Sequence, residues 1–207
     1  MALTDPLPLD ALAPDALAPD ALTGWRARLR ALPVFETEPP VFDTVVVPDN
    51  PLELVAEWLE LAIAAGVPQP HAATLVTVSA DGDPSSRTLI LKDLSPDGVW
   101  FATPSDSPAG RDLAGHPVAA MQFYWPLLGR QIRVEGAASP GPVDVSRTDW
   151  QARSAPARAA SDPATWTAYL LRPARIEFLS VAASRSHIRL QYTRPGADRW
   201  SHDMLAG

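Results

Sequence analysis

Val78–Leu94 reads VSADGDPSSRTLILKDL, Val99–Pro117 reads VWFATPSDSPAGRDLAGHP, and Met121–Gly136 reads MQFYWPLLGRQIRVEG. In each, apolar and polar residues alternate in short runs, and Asp81-Gly82 and Asp97-Gly98 interrupt the alternation with turn-forming pairs. The pattern predicts strands over Ala73–Ser79, Ser86–Leu91, Val99–Thr103, Val118–Trp125 and Arg130–Ala137. Ser107 followed by Pro108 has the form of a helix cap with proline at the first helical position, opening a short helix through Leu113. Farther on, Ala174–Leu179 and Ile188–Thr193 also read as strands. Antiparallel strands at this spacing predict a mainly β, α+β architecture: a β-barrel with helices packed around it. The polar residues set among the strands could hold an anionic, planar ligand.

Outward from this block the sequence changes character. The segment Leu9–Gly24, LDALAPDALAPDALTG, repeats DALAP with prolines that interrupt any long helix, so residues 1–50 are expected to form a flexible leader followed by an extended proline-rich segment from Glu36. Order is expected from Pro51, where Leu52, Val55, Leu59 and Ile63 recur at helical spacing beside Trp58 and Gly66 closes the helix. Residues 51–207 are therefore read as one domain. The section Asp144–Thr167 is helical in composition but broken by prolines.

The totals narrow the function classes. A chain of 207 residues, 46% hydrophobic, can bury a substantial core. Its net charge of -7 argues against nucleic acid or an anionic membrane surface as partner, because both are polyanions. Without cysteine there is no disulfide and no thiolate nucleophile, and His71, His116, His187 and His202 lack the short spacing of metal ligands. No apolar run approaches the ~20 residues of a membrane span, and the N-terminus lacks a basic start followed by an apolar block. A soluble, cytoplasmic protein without a metal is the expectation.

Two residue groups carry candidate chemistry. Arg87 and Lys92 bracket an apolar run; a guanidinium can grip a phosphate with two hydrogen bonds while a lysine supplies a compact charge. Their odd separation puts them on opposite faces of a regular strand, so they share a pocket only if the strand twists, bulges or ends near Lys92. The alternative is a pair of solvated strand-edge charges. In Arg130–Glu135, Ile132 and Val134 share one face and Gln131, Arg133 and Glu135 the other, which could equally be a solvated row with an Arg133–Glu135 pairing.

The order and wording of these motifs resemble the pyridoxamine 5'-phosphate oxidase family over roughly Pro51 to the C-terminus. The resemblance implies an FMN-binding split β-barrel, a homodimer with two flavin sites built from both subunits, and a small-molecule substrate whose hydride passes to flavin before reoxidation by oxygen. It implies cofactor contacts at Arg87, Thr88, Leu89, Ile90, Leu91, Lys92, Ala102, Thr103, Ser107, Gln131 and Arg189, and substrate contacts at Lys92, Arg153, Arg185 and His187. No acid–base residue is singled out as catalytic.

This chain also departs from the family pattern. Pro108 and Ala109 stand where relatives carry an Arg-Lys pair, Leu179 where they carry an aromatic residue, and Asp149 where a tyrosine helps hold the substrate phosphate. These replacements imply weaker FMN binding and a substrate other than the vitamin B6 phosphates, expected to be a small cyclic metabolite of a specialised biosynthetic pathway. Ordinary pyridoxine/pyridoxamine phosphate oxidation, or a split-barrel protein that has lost flavin, are the alternative expectations.

Overall fold

The computed structural model describes residues 23–33, 38–182, 187–194 and 199–206. The DALAP repeat before residue 23 and the expected substrate residue Arg185 lie outside them. The chain divides into two compact units, Met1–Glu36 and Thr37–Gly207. In the first, helix α1 spans Trp25–Arg30 with all its residues solvent-exposed.

The second unit begins with an irregular segment and helix α2, Pro51–Ala64. Asn50 caps α2, its side chain accepting from the Leu52 N–H at 3.1 Å, and Pro51 occupies the first turn where no N–H is missed. Its buried residues are Pro51, Leu52, Leu54, Val55, Trp58 and Ala62, whereas Ile63, expected on the apolar face, is 51% exposed. The large indole sets the rotation of the helix. At 3.6 residues per turn, Ile63 lies roughly 140° from Trp58 and so faces water.

Among the described residues nine strands follow in one sheet: β1 Ala72–Val78, β2 Pro84–Ile90, β3 Asp93–Ser95, β4 Gly98–Pro104, β5 Val118–Trp125, β6 Arg130–Pro140, β7 Trp166–Ser180, β8 Ile188–Thr193 and β9 Ser201–Met204. Helix α3, Pro108–Gly115, joins β4 to β5, and helices α4, Val143–Ala152, and α5, Ala155–Ala159, lie between β6 and β7. All strand pairings are antiparallel, in the order β2-β1-β5-β6-β7-β4-β3, with β8 added to β7 and β9 to β8.

The expected limits of β5 and β8 agree with the structure, but β3, β9 and the first half of β7 were not foreseen. Strand β7 is 15 residues long and contains Pro173, a residue that ordinarily argues against a central strand. A register shift after Glu135 accommodates it: Glu135 pairs with Arg175 and Gly136 with Pro173. The long strand then pairs with β6 from Tyr169 to Ser180, with β4 on its first half and with β8 on its second.

Alternation separates two faces of the sheet. Leu75, Met121, Val134, Ile176, Phe123, Ile132, Phe178 and Leu190 form the buried side. Trp58 meets that core edge-on, 4.9 Å from Phe42 and 5.2 Å from Phe178 between ring centroids. Phe42 and the Tyr192 O–H, which donates to the Pro48 carbonyl at 2.9 Å, bind the segment ahead of α2 into this core. No helix among the described residues is long and apolar enough to cross a membrane.

Candidate functional site

The difficulty of placing Arg87 and Lys92 together is resolved by where β2 ends. The strand stops at Ile90; Leu91 N–H then donates to the His71 carbonyl and Lys92 N–H to the Trp100 carbonyl, both at 2.8 Å, which carries the chain from β1 across to β4. Arg87 and Lys92 consequently serve different places.

Arg87 lies opposite Leu75, on the buried side of β2, together with Leu89 opposite Ala73. Its guanidinium is 3.8 Å from Asp112 of α3, and Nη1 donates to Thr77 Oγ1 at 2.6 Å. Nη1 also reaches the Ser85 carbonyl at 3.1 Å and Nη2 the Ser85 hydroxyl at 2.8 Å. Thr77, fully buried, donates its hydroxyl hydrogen bond to Asp112 Oδ2 at 2.6 Å. At the start of α3 the hydroxyls of Thr103 and Ser107 are 3.0 Å apart, and Ser107 Oγ accepts from Gly110 N–H at 3.1 Å. One of the two hydroxyl hydrogens satisfies the pair, so the other can be donated to a ligand. Ala102, beside Thr103 on β4, is buried.

The opposite face of the sheet presents a second group. Gln131 pairs with Tyr124 and Leu179, and Leu179 with Arg189, so these four side chains form one row, while Thr88 and Gln122 flank Thr74 in the next. The Gln131 amide makes no hydrogen bond to another described residue and can both donate and accept. Arg189 is committed: Nε donates to Glu177 Oε1 at 2.8 Å, and Glu177, only 3% exposed, is held from its other side by Arg133 at 2.6 Å. The carboxylate holds the Arg189 guanidinium above its ordinary pKa. Arg133 also pairs with Glu135 at 2.6 Å, so the expected Arg133–Glu135 contact exists inside a larger network with Arg175. In the FYWP motif Phe123 and Trp125 are core, while Tyr124 is exposed.

Lys92 and Arg153 meet in a third place, a cleft of about 360 Å³ lined also by Ile90, Asp149, Ala152 and Ser154. Lys92 Nζ is 3.2 Å from Asp149 Oδ1, and the other oxygen of Asp149 accepts from the Trp166 indole N–H at 2.7 Å. Arg153 stacks over the Trp166 ring at 3.7 Å and donates to the Ala157 carbonyl at 3.1 Å. His187 is exposed just ahead of β8. Sequence reasoning treated Asp149 as an isolated substitution and missed its contact with Lys92. The partners are far apart in sequence, and nothing short of the fold joins α4 to the end of β2.

A phosphate-bearing planar cofactor can be tested against these donors. Arg87 and one free hydroxyl of the Thr103–Ser107 pair have the chemistry for a phosphate and the Gln131 amide that for a heteroaromatic ring edge, so each fits one end of such a group, with fewer cations at the phosphate end than the two-cation clamp expected from the sequence resemblance and with the two ends on opposite faces of one chain's sheet.

Comparison with known proteins places the chain. The sequence pattern of the family described as pyridoxamine 5'-phosphate oxidase matches residues 59–180, and that of the pyridoxine 5'-phosphate oxidase C-terminal dimerisation region matches residues 166–207. A pyridoxine/pyridoxamine 5'-phosphate oxidase of Methylibium petroleiphilum is 34% identical over 190 residues, covering 76% of this chain and 88% of the relative. One of Bacteroides fragilis is 35% identical over 191 residues, covering 77% and 81%. Among solved structures, PhzG of Burkholderia lata in complex with tetrahydrophenazine-1-carboxylic acid is similar with a TM-score of 0.75 and 29% identity, over 84% of this chain and all of the other. A pyridoxamine 5'-phosphate oxidase-related, FMN-binding protein of Nostoc punctiforme, 19% identical with a TM-score of 0.67 over 78% of this chain and 100% of that one, shares the fold. The protein belongs to the pyridoxamine 5'-phosphate oxidase family and has its split-barrel fold.

Proposed function

We propose that this protein is an FMN-dependent oxidase, acting as a homodimer on a small cyclic metabolite that is not a B6 phosphate. The observation that carries the choice of substrate is the Lys92–Asp149 ion pair at 3.2 Å. A phosphate dianion entering the cleft would find the ammonium already neutralised and a carboxylate beside it, and like charges repel. A ring carrying less negative charge meets no such penalty, and the Arg153–Trp166 stack offers it a flat wall. The complex of PhzG with a tetrahydrophenazine carboxylic acid supports a cyclic, non-phosphorylated substrate.

Bound FMN would supply the redox chemistry, accepting hydride from a substrate carbon and returning electrons to oxygen as hydrogen peroxide. The chain's own residues bind and orient. Arg87, Thr103 and Ser107 hold the phosphate end, Thr88 to Leu91 and Ala102 supply backbone and apolar contact, and Gln131 reads the ring edge with Arg189 beside it. Lys92 and Arg153 line the substrate side, and Arg185 and His187 are assigned there by sequence resemblance.

The homodimer is supported by the match to a dimerisation region and by the exposed face of β1, β5 and β6. There Val76, Val78, Val118 and Ala120 line an open groove of about 560 Å³, and Val118 is 50% exposed. Ordinary pyridoxamine phosphate oxidation is the second reading, favoured by the 34% identity to enzymes of that name. Purified protein incubated with FMN should turn yellow and release peroxide with dihydro-aromatic carboxylic acids but not with pyridoxamine 5'-phosphate. Colourless protein would sink both enzymatic readings, and peroxide from pyridoxamine phosphate alone would favour the second.

A further inference from the structure

We propose that Asp112 sets cofactor specificity: its carboxylate stands 3.8 Å from the Arg87 guanidinium and offsets its charge, so the site accepts a phosphate-free flavin, riboflavin, nearly as well as FMN. The proposal rests on the flavin reading above and concerns only which form of flavin is held.

Three of the five N–H donors of Arg87 are already engaged. Nη1 serves Thr77 and the Ser85 carbonyl, Nη2 serves the Ser85 hydroxyl, and the guanidinium lies 3.8 Å from Asp112. Thr77 ties the two ions together, accepting from Arg87 and donating to Asp112, each at 2.6 Å. With side-chain exposures of 25% for Arg87 and 12% for Asp112, the pair is partly shielded from water and its charges offset one another toward an incoming ligand. A phosphate dianion must share the guanidinium with a carboxylate that the fold holds in place.

The start of α3 offers little to offset this. Pro108 has no N–H, Gly110 N–H is taken by Ser107 Oγ, and Arg111 N–H by the Ser107 carbonyl at 2.9 Å. The Ala109 N–H remains, on a residue that is 4% exposed. The Arg111 guanidinium turns back onto the Asp106 carbonyl. Pro108 and Ala109 themselves add no charge. The ring and ribityl chain of a flavin depend on none of these groups, so losing the phosphate removes an interaction that Asp112 has already weakened.

Apoprotein titrated with FMN and with riboflavin, followed by flavin fluorescence, tests this directly. Wild-type protein should bind the two with affinities within about tenfold, and Asp112→Asn should tighten FMN by about tenfold or more while riboflavin stays within about twofold, the difference being one released charge-assisted contact. Thermal melting establishes that the variant is folded. Should Asp112→Asn fail to fold, Asp112→Ser removes the charge while keeping a hydroxyl for Thr77. A wild-type preference for FMN well above tenfold, an Asp112 variant with unchanged FMN affinity, or equal tightening of both flavins would each overturn the proposal while leaving the flavoprotein reading intact. Failure of wild type and variant to bind either flavin would remove that reading, and this inference with it.

Discussion

At the scale of single residues, Asp149 and Arg87 make opposite predictions about the same kind of ligand. Asp149→Asn retains an oxygen for the Trp166 indole but withdraws the charge that holds Lys92. Binding of pyridoxal 5'-phosphate, read by its absorbance, should strengthen by about tenfold, the worth of one hydrogen bond to a charged group; no change would place the substrate elsewhere. Arg87→Ala should weaken FMN only as far as the affinity for riboflavin, a loss of about tenfold or less by flavin fluorescence. The sequence alone suggests that this change leaves the fold untouched, but the contacts to Thr77, Ser85 and Asp112 show that Arg87 also fastens α3 to β1 and β2. Urea unfolding should therefore show a loss of about 1–3 kcal/mol as Asp112 is left without its cation. Unchanged stability would mean that α3 is anchored by its apolar face alone.

At the scale of elements, the point most sensitive to change is the irregularity where β6 crosses β7. A Cβ added at Gly136 would sit 2.0 Å from the Arg172 carbonyl oxygen, a backbone atom that cannot swing aside. Gly136→Ala should therefore lower the melting temperature by several degrees or prevent folding, since the register around Pro173 depends on that close approach. A variant melting like wild type would show that the two strands can separate there at little cost. The same crossing explains why β7 was half-missed from sequence. In its first part, Ala168–Leu171 is apolar without alternation because it is buried on both faces, with β4 along one edge and β6 along the other from Tyr169, and Pro173 reads as a stop.

At the scale of the whole molecule, the aromatic cluster that holds the segment ahead of α2 carries a pH dependence. Burial, then the negative charges of Asp49 and Glu57, push the Tyr192 phenol from its ordinary value of 10.0 up to about 12. Burial also raises Tyr169. Above about pH 10 the unfolded chain releases a proton that the folded chain retains, so the stability held below pH 10 is lost progressively as pH rises toward 12. Urea midpoints should fall across that window. Tyr192→Phe, which has no proton to lose, should start lower for want of the bond to Pro48 and fall less steeply. An equally steep fall would assign the alkaline transition to other groups.

The local pattern by itself determined most of the strands and the two principal helices. Alternation, Asp-Gly turns, and the Asn50-Pro51 and Ser107-Pro108 starts are encoded within a few neighbouring residues. Similarity of motif supplied the family and the roster of residues to inspect. Only the tertiary structure decided which charges remain available. Arg87, Lys92 and Arg189 look alike on the page as cations, yet each meets a carboxylate, Asp112, Asp149 or Glu177, brought from another element. Coulomb attraction acts through space rather than along the chain, so an ion pair assembled by folding has no signature in residue spacing.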